Sequence, residues 1–117
     1  MTGSSSWITK QRRLAVYIRD RFVCAYCGRD LRGCEPREMG LDHLEDLVDG
    51  GGHKGANHQS SNLVMGCRRC NSQRGSRPWR DYAPAGAEDR IEATRYLPLN
   101  MPLARSLIES GTMWSDR

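Results

Sequence analysis

Residues 40–75, GLDHLEDLVDGGGHKGANHQSSNLVMGCRRCNSQRG, decide the fold of this chain. Two short apolar segments are separated by a long polar loop that contains three consecutive glycines. The candidate functional side chains in this stretch are, in chain order, Asp42, His43, Asn62, Cys67, Cys70 and Asn71. The residues on either side complete or support what this stretch begins.

A second cysteine pair, Cys24-x-x-Cys27, lies upstream of this stretch. Together with Cys67-x-x-Cys70 it forms the ligand set of a four-thiolate structural zinc site. The 39 residues between the pairs exceed the spacing of a simple zinc ribbon, so a further structural unit is inserted between the two halves of the site. Two disulfides or a redox pair are the alternatives, and the fifth cysteine, Cys34, is predicted to be a spectator.

Length and composition favour a single domain over residues 1–117 that needs such a staple. The chain has one Phe, 12 Gly and a mean hydropathy of −0.70, which predict a modest core. The chain contains no run of about 20 apolar residues, so no membrane span is predicted. The first residues, MTGSSSWITKQRR, lack the apolar segment of a secretory signal, so an intracellular, cytoplasmic protein with reduced thiols is expected.

The pattern along the chain predicts an α+β fold. Residues 1–8 are expected to be flexible, and a helix capped by Thr9 is expected over 9–22, with its basic side chains, Arg19 included, lying mostly off the apolar stripe. A zinc-stapled core is expected over 23–80, followed by a helical extension over 81–117. Within the extension, helices near 88–97 and 103–110 are separated by Pro98 and Pro102 and pack, with two tryptophans (Trp79 and Trp114), on the N-terminal helix.

Inside the core the pattern predicts two strands and a helix around a metal. The first strand covers 39–48 and ends at the glycines, and an antiparallel partner covers 62–66. The helix covers 67–74 and stops at Gly75, with Pro78 barring continuation. The expected architecture is therefore a small zinc-stapled ββα-metal core with flanking N- and C-terminal helices.

Charge is distributed unevenly around a net value of +4. Residues 35–49 hold six acids and one base, whereas residues 68–80 hold five arginines and no acid. A concentrated arginine stripe is typical of a polyanion-binding surface, and an ordinary solvated face is the alternative. The arginines in the stripe are Arg68, Arg69, Arg74, Arg77 and Arg80.

Three side chains of the central stretch suit hydrolysis of a phosphodiester bond. Asp42 and Asn71 offer the hard oxygen ligands that Mg²⁺ prefers, and His43 can accept a proton from water near neutral pH. Because neighbours on a regular strand face opposite ways, irregular backbone is predicted at the Asp42–His43 pair. Asn71 follows Cys67 by four residues, so the zinc site fixes the helix that carries it.

With these motifs in place, the stretch from about 19 to 79 resembles an HNH endonuclease of the four-cysteine zinc, ββα-metal type. The resemblance implies that Asp42 is a ligand of the catalytic ion, His43 is the general base, Asn62 braces the loop and Asn71 is the second ligand. It also implies DNA as the partner, Mg²⁺ or Mn²⁺ as the catalytic ion, and phosphate contacts by Arg74, with Arg68, Arg69 and Arg77 also expected on the nucleic acid.

The sequence departs from the family pattern in the loop after His43. Asp46 stands where the family commonly has proline, and Glu45 and Asp46 place extra negative charge near the expected phosphate. The loop is longer than usual and carries His53 and His58, which are expected to be loop residues without a catalytic role. An additional metal ligand or a DNA contact is the alternative for either histidine.

Three functions follow in order of preference. The first is a metal-dependent HNH endonuclease that nicks or cuts DNA, and the second is a zinc-stapled nucleic-acid-binding module without catalysis. The third is an adaptor in a larger phage or restriction assembly. The resemblance to small stand-alone phage members suggests a phage packaging or restriction partner, and a homodimer is a further expectation.

Overall fold

A computed structural model describes residues 8–45 and 59–112 of the chain as an α+β arrangement around a two-stranded antiparallel sheet. The predictions for His53, His58, Asp46 and Trp114 lie outside these residues. The elements are α1 (Lys10–Arg19), β1 (Met39–His43), β2 (Leu63–Cys67), α2 (Arg68–Arg74), α3 (Trp79–Tyr82), α4 (Ala87–Thr94) and α5 (Met101–Glu109). Short 3-10 turns at Pro36–Glu38 and Ser60–Asn62 precede the strands. None of the described helices is long and apolar enough to cross a membrane.

Helix α1 begins where the sequence predicts and ends earlier than predicted. The Thr9 hydroxyl accepts an amide hydrogen of the first turn, as expected of an N-cap. The helix ends at Arg19, three residues before the predicted boundary, because Arg21 and Phe22 adopt φ angles of 59° and 57°. The Phe22 amide donates to the Tyr17 carbonyl and closes the helix end. No glycine or proline marks this stop, so periodicity alone overshoots it.

The start of the described chain corrects the expectation for residue 8. Ile8 is buried and packs in a small apolar cluster with Val16 of α1 and Leu63 of β2. Burying a branched aliphatic side chain of this size contributes about 1.5–3 kcal/mol. Ile8 is therefore part of the packed structure, although the sequence places it in a Gly/Ser-rich leader.

The two strands form one uninterrupted ladder. Their register pairs Met39 with Cys67 and continues without a bulge to His43 opposite Leu63. The prediction of irregular backbone at Asp42 and His43 is therefore wrong, because both residues have ladder partners. The first strand ends immediately after His43, so the predicted boundary at residue 48 is wrong and His43 occupies the last ladder position before the loop.

The outer edge of β2 is covered by side chains and a turn in place of a third strand. A two-stranded sheet is marginal in isolation, and its free backbone groups need partners. The bonds that supply them are Arg19 Nη2 to the Leu63 carbonyl, the Met65 amide to Asp20 Oδ2, the Ala25 amide to the Met65 carbonyl, and the Cys67 amide to Cys24 Sγ. The edge is thus sealed by the end of α1 and by the first cysteine pair.

Arg19 therefore does not lie on the solvated face that the helical pattern predicts. Its side chain is 1% exposed and pairs with Asp20 at 2.8 Å. Nη1 donates to the carbonyls of Ser60 at 2.8 Å and Arg95 at 3.1 Å. The guanidinium consequently joins α1, the turn before β2 and the C-terminal extension through bonds to backbone oxygens.

The C-terminal extension packs back on the N-terminal helix, as predicted. Helix α5 lies against α1, and Gln11 Nε2 donates to the Met101 carbonyl at 3.1 Å. Trp79 is buried in the main apolar cluster that also contains residues of α1. The expectation that Pro102 breaks the chain between helices is wrong: it lies in the first turn of α5, where a missing N–H costs nothing.

Replacing Arg19 with methionine tests the importance of this buried cation. The Arg19→Met change keeps most of the apolar stem but leaves Asp20 buried without its partner, which destabilises a protein by about 3–5 kcal/mol. We expect a loss of that size in urea unfolding of the zinc-loaded protein. Arg12→Met, at a half-buried position on the same helix, is the control. Equal effects of the two changes would contradict the assigned role.

Candidate active site and metal centre

The four cysteines of the two CxxC pairs converge on one point. Their sulfur atoms all lie within 4.8 Å of one another, and Cys27 Sγ is 3.9 Å from Cys67 Sγ. A tetrahedral zinc ion with Zn–S bonds of about 2.3 Å spaces its sulfurs about 3.8 Å apart. The donor set and its spacing therefore fit a structural zinc ion. Cys34 is outside the cluster.

Backbone amides and burial prepare these sulfurs for a cation. The amides of Cys27 and Cys67 donate to Cys24 Sγ, and the amide of Cys70 donates to Cys67 Sγ. Burial raises the pKa of the Cys24 thiol, and it raises the pKa of Cys70 to about 12. Buried thiols of this kind deprotonate when a divalent cation supplies the compensating charge.

The second cysteine pair also starts the helix that carries Asn71. Cys67 is the N-cap of α2, and its sulfur accepts the Cys70 amide hydrogen. Gly75, with φ of 54°, ends the helix as predicted. The zinc centre and the seven-residue helix are thus built from the same backbone turn.

Two glycines make room for the Asn71 side chain over the sheet. Gly40 and Gly66 face each other in the ladder. A Cβ atom on Gly40 would lie 2.8 Å from Asn71 Nδ2, and one on Gly66 would overlap Asn71 Oδ1. The sequence reasoning missed this pair, although a glycine at corresponding points of both strands was the available signal.

The amide oxygen of Asn71 has no hydrogen-bond partner among the described residues, although it is buried. Leaving a buried acceptor unpaired costs about 1–3 kcal/mol. Such an atom fits the second ligand position for a hard cation, because an amide oxygen accepts without carrying charge. The role of Asn71 as a ligand of a divalent ion stays a prediction.

Asp42 lies on the same face of the sheet as Asn71. Side chains two residues apart on a strand share a face, so Asp42 and Gly40 point to the same side, about 7 Å apart. Asp42 Oδ2 accepts two hydrogen bonds, one from the Tyr26 hydroxyl and one from Arg74 Nη1 at 2.7 Å. The sequence reasoning missed Tyr26, whose signal was an aromatic residue between two zinc ligands.

The Tyr26 hydroxyl is a fixed donor in this arrangement. Burial raises the pKa of Tyr26, and the negative charge of Asp42 raises it further. The phenol therefore stays protonated at neutral pH, and its proton points to the carboxylate. Its ring is held edge-on by Tyr82 at 5.3 Å between centroids.

His43 occupies the last position of the ladder, next to Asp42. Strand alternation directs the two side chains to opposite faces, so the sheet brings Asp42 and Asn71 to one face and sets His43 apart at its end. The His43 carbonyl accepts a hydrogen bond from Arg74 Nη1 at 2.7 Å, and its side chain is half-buried. Strand alternation alone therefore does not bring the imidazole to the face of Asp42 and Asn71, and the role of His43 as general base stays a prediction.

Asn62 closes the loop that begins after His43. Its Oδ1 accepts the Glu45 amide hydrogen at 2.8 Å, and its Nδ2 donates to the Glu45 carbonyl at 3.3 Å. The Asn62 carbonyl also accepts from the Leu44 amide. These contacts have the form of the brace that the sequence suggests, whereas their value for catalysis stays a prediction.

Arg74 lies inside the structure, away from the arginine face where the sequence places it. It is 7% exposed and, besides Asp42, its guanidinium donates to the carbonyls of His43, Leu44 and Arg77. Every guanidinium nitrogen is engaged within the protein. This arrangement does not support the expected phosphate contact, because a DNA oxygen would have to displace one of these acceptors.

The remaining arginines of the stripe differ in how far they are neutralised. Arg68, Arg69 and Arg77 are exposed, and none of them forms an ion pair among the described residues. Arg80 is exposed too, but it pairs with Glu88 and with Glu92. Uncompensated positive charge is thus concentrated on and just after α2.

Comparison with models of protein families gives a match. Residues 24–77, just under half of the chain, match the family model described as HNH endonuclease. No curated protein and no solved structure matches the chain. The matched segment runs from the first zinc-ligand candidate to the end of the arginine-bearing turn after α2.

Removing the metal tests the structural centre. Cys67→Ser deletes a sulfur that is both a ligand candidate and the cap of α2, so we expect loss of bound zinc and of the cooperative melting transition. Metal analysis and circular dichroism measure the two effects. Cys34→Ser, outside the cluster, should retain both. A Cys67→Ser protein, or a protein fully stripped of zinc, that melts like the wild type would contradict the structural role.

Proposed function

We propose that this protein is a metal-dependent endonuclease that hydrolyses DNA phosphodiester bonds, since residues 24–77 match the HNH endonuclease family model and hold the four clustered cysteines. The observation that supports this most is the shared face of Asp42 and Asn71. A largely buried carboxylate and an unpartnered buried amide oxygen lie there together, next to the strand end that carries His43. A protein that only bound nucleic acid would have no need of this combination.

Asp42 and Asn71 are the residues that would hold Mg²⁺ or Mn²⁺. When bound, the ion supplies positive charge to the scissile phosphate and the departing 3′ oxygen. Two protein ligands are enough, because Mg²⁺ keeps water and substrate oxygens in the rest of its shell. The structural zinc has no part in the chemistry and fixes α2, and with it Asn71.

His43 is proposed as the general base that takes a proton from the attacking water. An imidazole is suited to this step because it changes its protonation near neutral pH. Attack on phosphorus with loss of the 3′ oxygen leaves a 5′-phosphate and a 3′-hydroxyl. Asn62 positions the base indirectly, because it holds Glu45, two residues after His43, in place.

The exposed arginines of α2 and its following turn are proposed to contact the DNA backbone. Arg68 and Arg69 lie in the first turn of α2, directly before the zinc ligand candidate Cys70 and Asn71. Arginine is suited to phosphate because its planar fork can donate two parallel hydrogen bonds. One active site serves one strand, so double-strand cutting would require a second copy or a second binding event.

A non-catalytic nucleic-acid-binding module is the second candidate, and one observation favours it. Asp42 already has a cationic partner, since Arg74 lies 2.7 Å from Oδ2 with both side chains largely buried. This charge lowers the affinity of the carboxylate for a divalent ion. In this alternative the Asp42–Arg74 pair is purely structural, and the arginine face alone performs the function.

Cleavage of supercoiled plasmid separates the two candidates. Zinc-loaded wild type is compared with His43→Ala of matched zinc content, with Mg²⁺, with Mn²⁺ and without an added divalent ion. We expect metal-dependent relaxation by the wild type and a loss of at least about 100-fold in the variant, the size of a general-base contribution. Relaxation that survives in His43→Ala would contradict the base assignment. Binding without cutting by both proteins would favour the module.

Salt dependence of DNA binding tests the arginine face. Arg69→Ala should weaken binding to unrelated duplexes about equally and reduce the slope of log K against log salt by roughly 0.9, the value for one phosphate. Arg80→Ala is the matched control, because its charge is already paired with two glutamates. Fluorescence anisotropy at several salt concentrations measures both. Unchanged slopes in Arg69→Ala would remove this residue from the interface.

A further inference from the structure

We infer that Tyr26 is a positioning residue for the catalytic ion: its hydroxyl fixes the Asp42 carboxylate, so the zinc-binding turn sets the direction of a ligand to the second metal. This inference rests on the proposed function. It goes beyond it by assigning a role to a residue that belongs to neither ligand set. Tyr26 thereby links the cysteine cluster to the proposed site of the catalytic ion through its hydrogen bond to Asp42.

The position of Tyr26 is set by the zinc-binding turn. The residue lies between Cys24 and Cys27, both of which contribute sulfur to the cluster. Its carbonyl and that of Ala25 each accept a hydrogen bond at 3.2 Å from Arg90 of α4. The backbone of this residue is therefore held by the cysteine cluster on one side and by the C-terminal extension on the other.

Because the aromatic ring of Tyr26 is held in place, the position of its hydroxyl is fixed as well. Tyr26 is almost fully buried, and the edge of the Tyr82 ring contacts it. A rigid, buried ring fixes its para hydroxyl to within a narrow range, unlike a flexible polar side chain. The hydroxyl donates to Asp42 Oδ2.

The contact leaves one oxygen of Asp42 for a ligand. Oδ2 accepts from both Tyr26 and Arg74, whereas Oδ1 has no hydrogen bond among the described residues. Outer hydrogen bonds of this kind orient metal-ligating carboxylates, and their removal commonly costs 10–100-fold in metal affinity or activity. Oδ1 is therefore the oxygen that faces the ion, in a direction chosen by the two donors.

Tyr26 differs from a residue that only fills the core. A core-filling role needs the ring, and phenylalanine would serve it as well. A positioning role needs the hydroxyl. The substitution Tyr26→Phe separates the two, because it retains the ring contact with Tyr82 and removes only the donor to Asp42.

The experiment measures Mn²⁺ binding directly, without DNA and without turnover. Mn²⁺ is titrated into zinc-loaded wild type and Tyr26→Phe, and the free ion is followed by its electron paramagnetic resonance signal. We expect the Mn²⁺ dissociation constant of Tyr26→Phe to be about 10-fold larger than that of the wild type. Zinc content, melting temperature and DNA affinity without added divalent ion should match the wild type.

Tyr17→Phe is the matched control. Tyr17 is also buried and its ring packs edge-on against Phe22, but it belongs to α1. Its variant loses a buried hydroxyl without touching Asp42 and should bind Mn²⁺ like the wild type. Should Tyr26→Phe lose zinc, fluorotyrosine placed at residue 26 or 17 of the intact sequence gives a second readout. Saturating Mg²⁺ should then shift the fluorine resonance at 26 more than that at 17.

The outcomes distinguish this inference from the proposed function. Wild type that binds Mn²⁺ and cleaves DNA, together with a Tyr26→Phe protein of equal Mn²⁺ affinity, would overturn the inference alone. An equal loss in Tyr17→Phe, or no fluorine shift at residue 26, would also overturn it. Wild type that fails to bind Mn²⁺ would overturn the ligand pair and with it the role of Tyr26.

Discussion

Convergence of four cysteine sulfurs is the constraint on which the rest of the structure depends. The two pairs are separated by 39 residues, and closing them brings the turn at Cys24 against the end of β2. The same atoms have secondary tasks: Cys24 Sγ accepts an amide hydrogen at the β2 edge, and Cys67 caps α2. One cysteine cluster thereby fixes a strand edge, a helix start and the position of Tyr26.

Two buried arginines join elements that a larger apolar core or a larger sheet would otherwise hold together. Arg19 seals the outer edge of β2 and reaches the C-terminal extension, while Arg74 ties the end of β1 to the residues after α2. A buried guanidinium is costly unless its donors are satisfied. Both side chains meet this condition through backbone oxygens and a carboxylate, Asp20 or Asp42.

The candidate active site inherits its charge balance from this scaffold. Asp42 serves at once as the acceptor for Tyr26 and Arg74 and as the carboxylate proposed to face a divalent ion. Asn71, proposed as the second ligand, adds an oxygen but no charge, so the two residues are electrically close to neutral once Arg74 is counted. Such a site is suited to an ion that arrives with, or is completed by, the negative charge of a DNA phosphate.

How much the sequence could predict follows from the range over which each signal acts. Cysteine spacing, the apolar runs and the Thr9 and Gly75 caps are local, and they predicted the zinc ligands, two strands, α2 and the α+β class. The prediction of where α1 ends was wrong, because non-glycine residues at positive φ leave no mark in the periodicity of the sequence. The prediction of irregular backbone at Asp42 was wrong for a similar reason, because the regularity of the strand there depends on its pairing with the partner strand.

The sequence by itself determined which four cysteines could hold a metal ion, because ligand type and spacing are properties of the chain. Only the tertiary structure decided which charges face inward. Arg69 and Arg74 have the same side chain, five residues apart, yet one is exposed and the other is buried on Asp42. Periodicity cannot separate them, because the difference lies in a carboxylate 32 residues away that folding alone brings within 2.7 Å of the guanidinium.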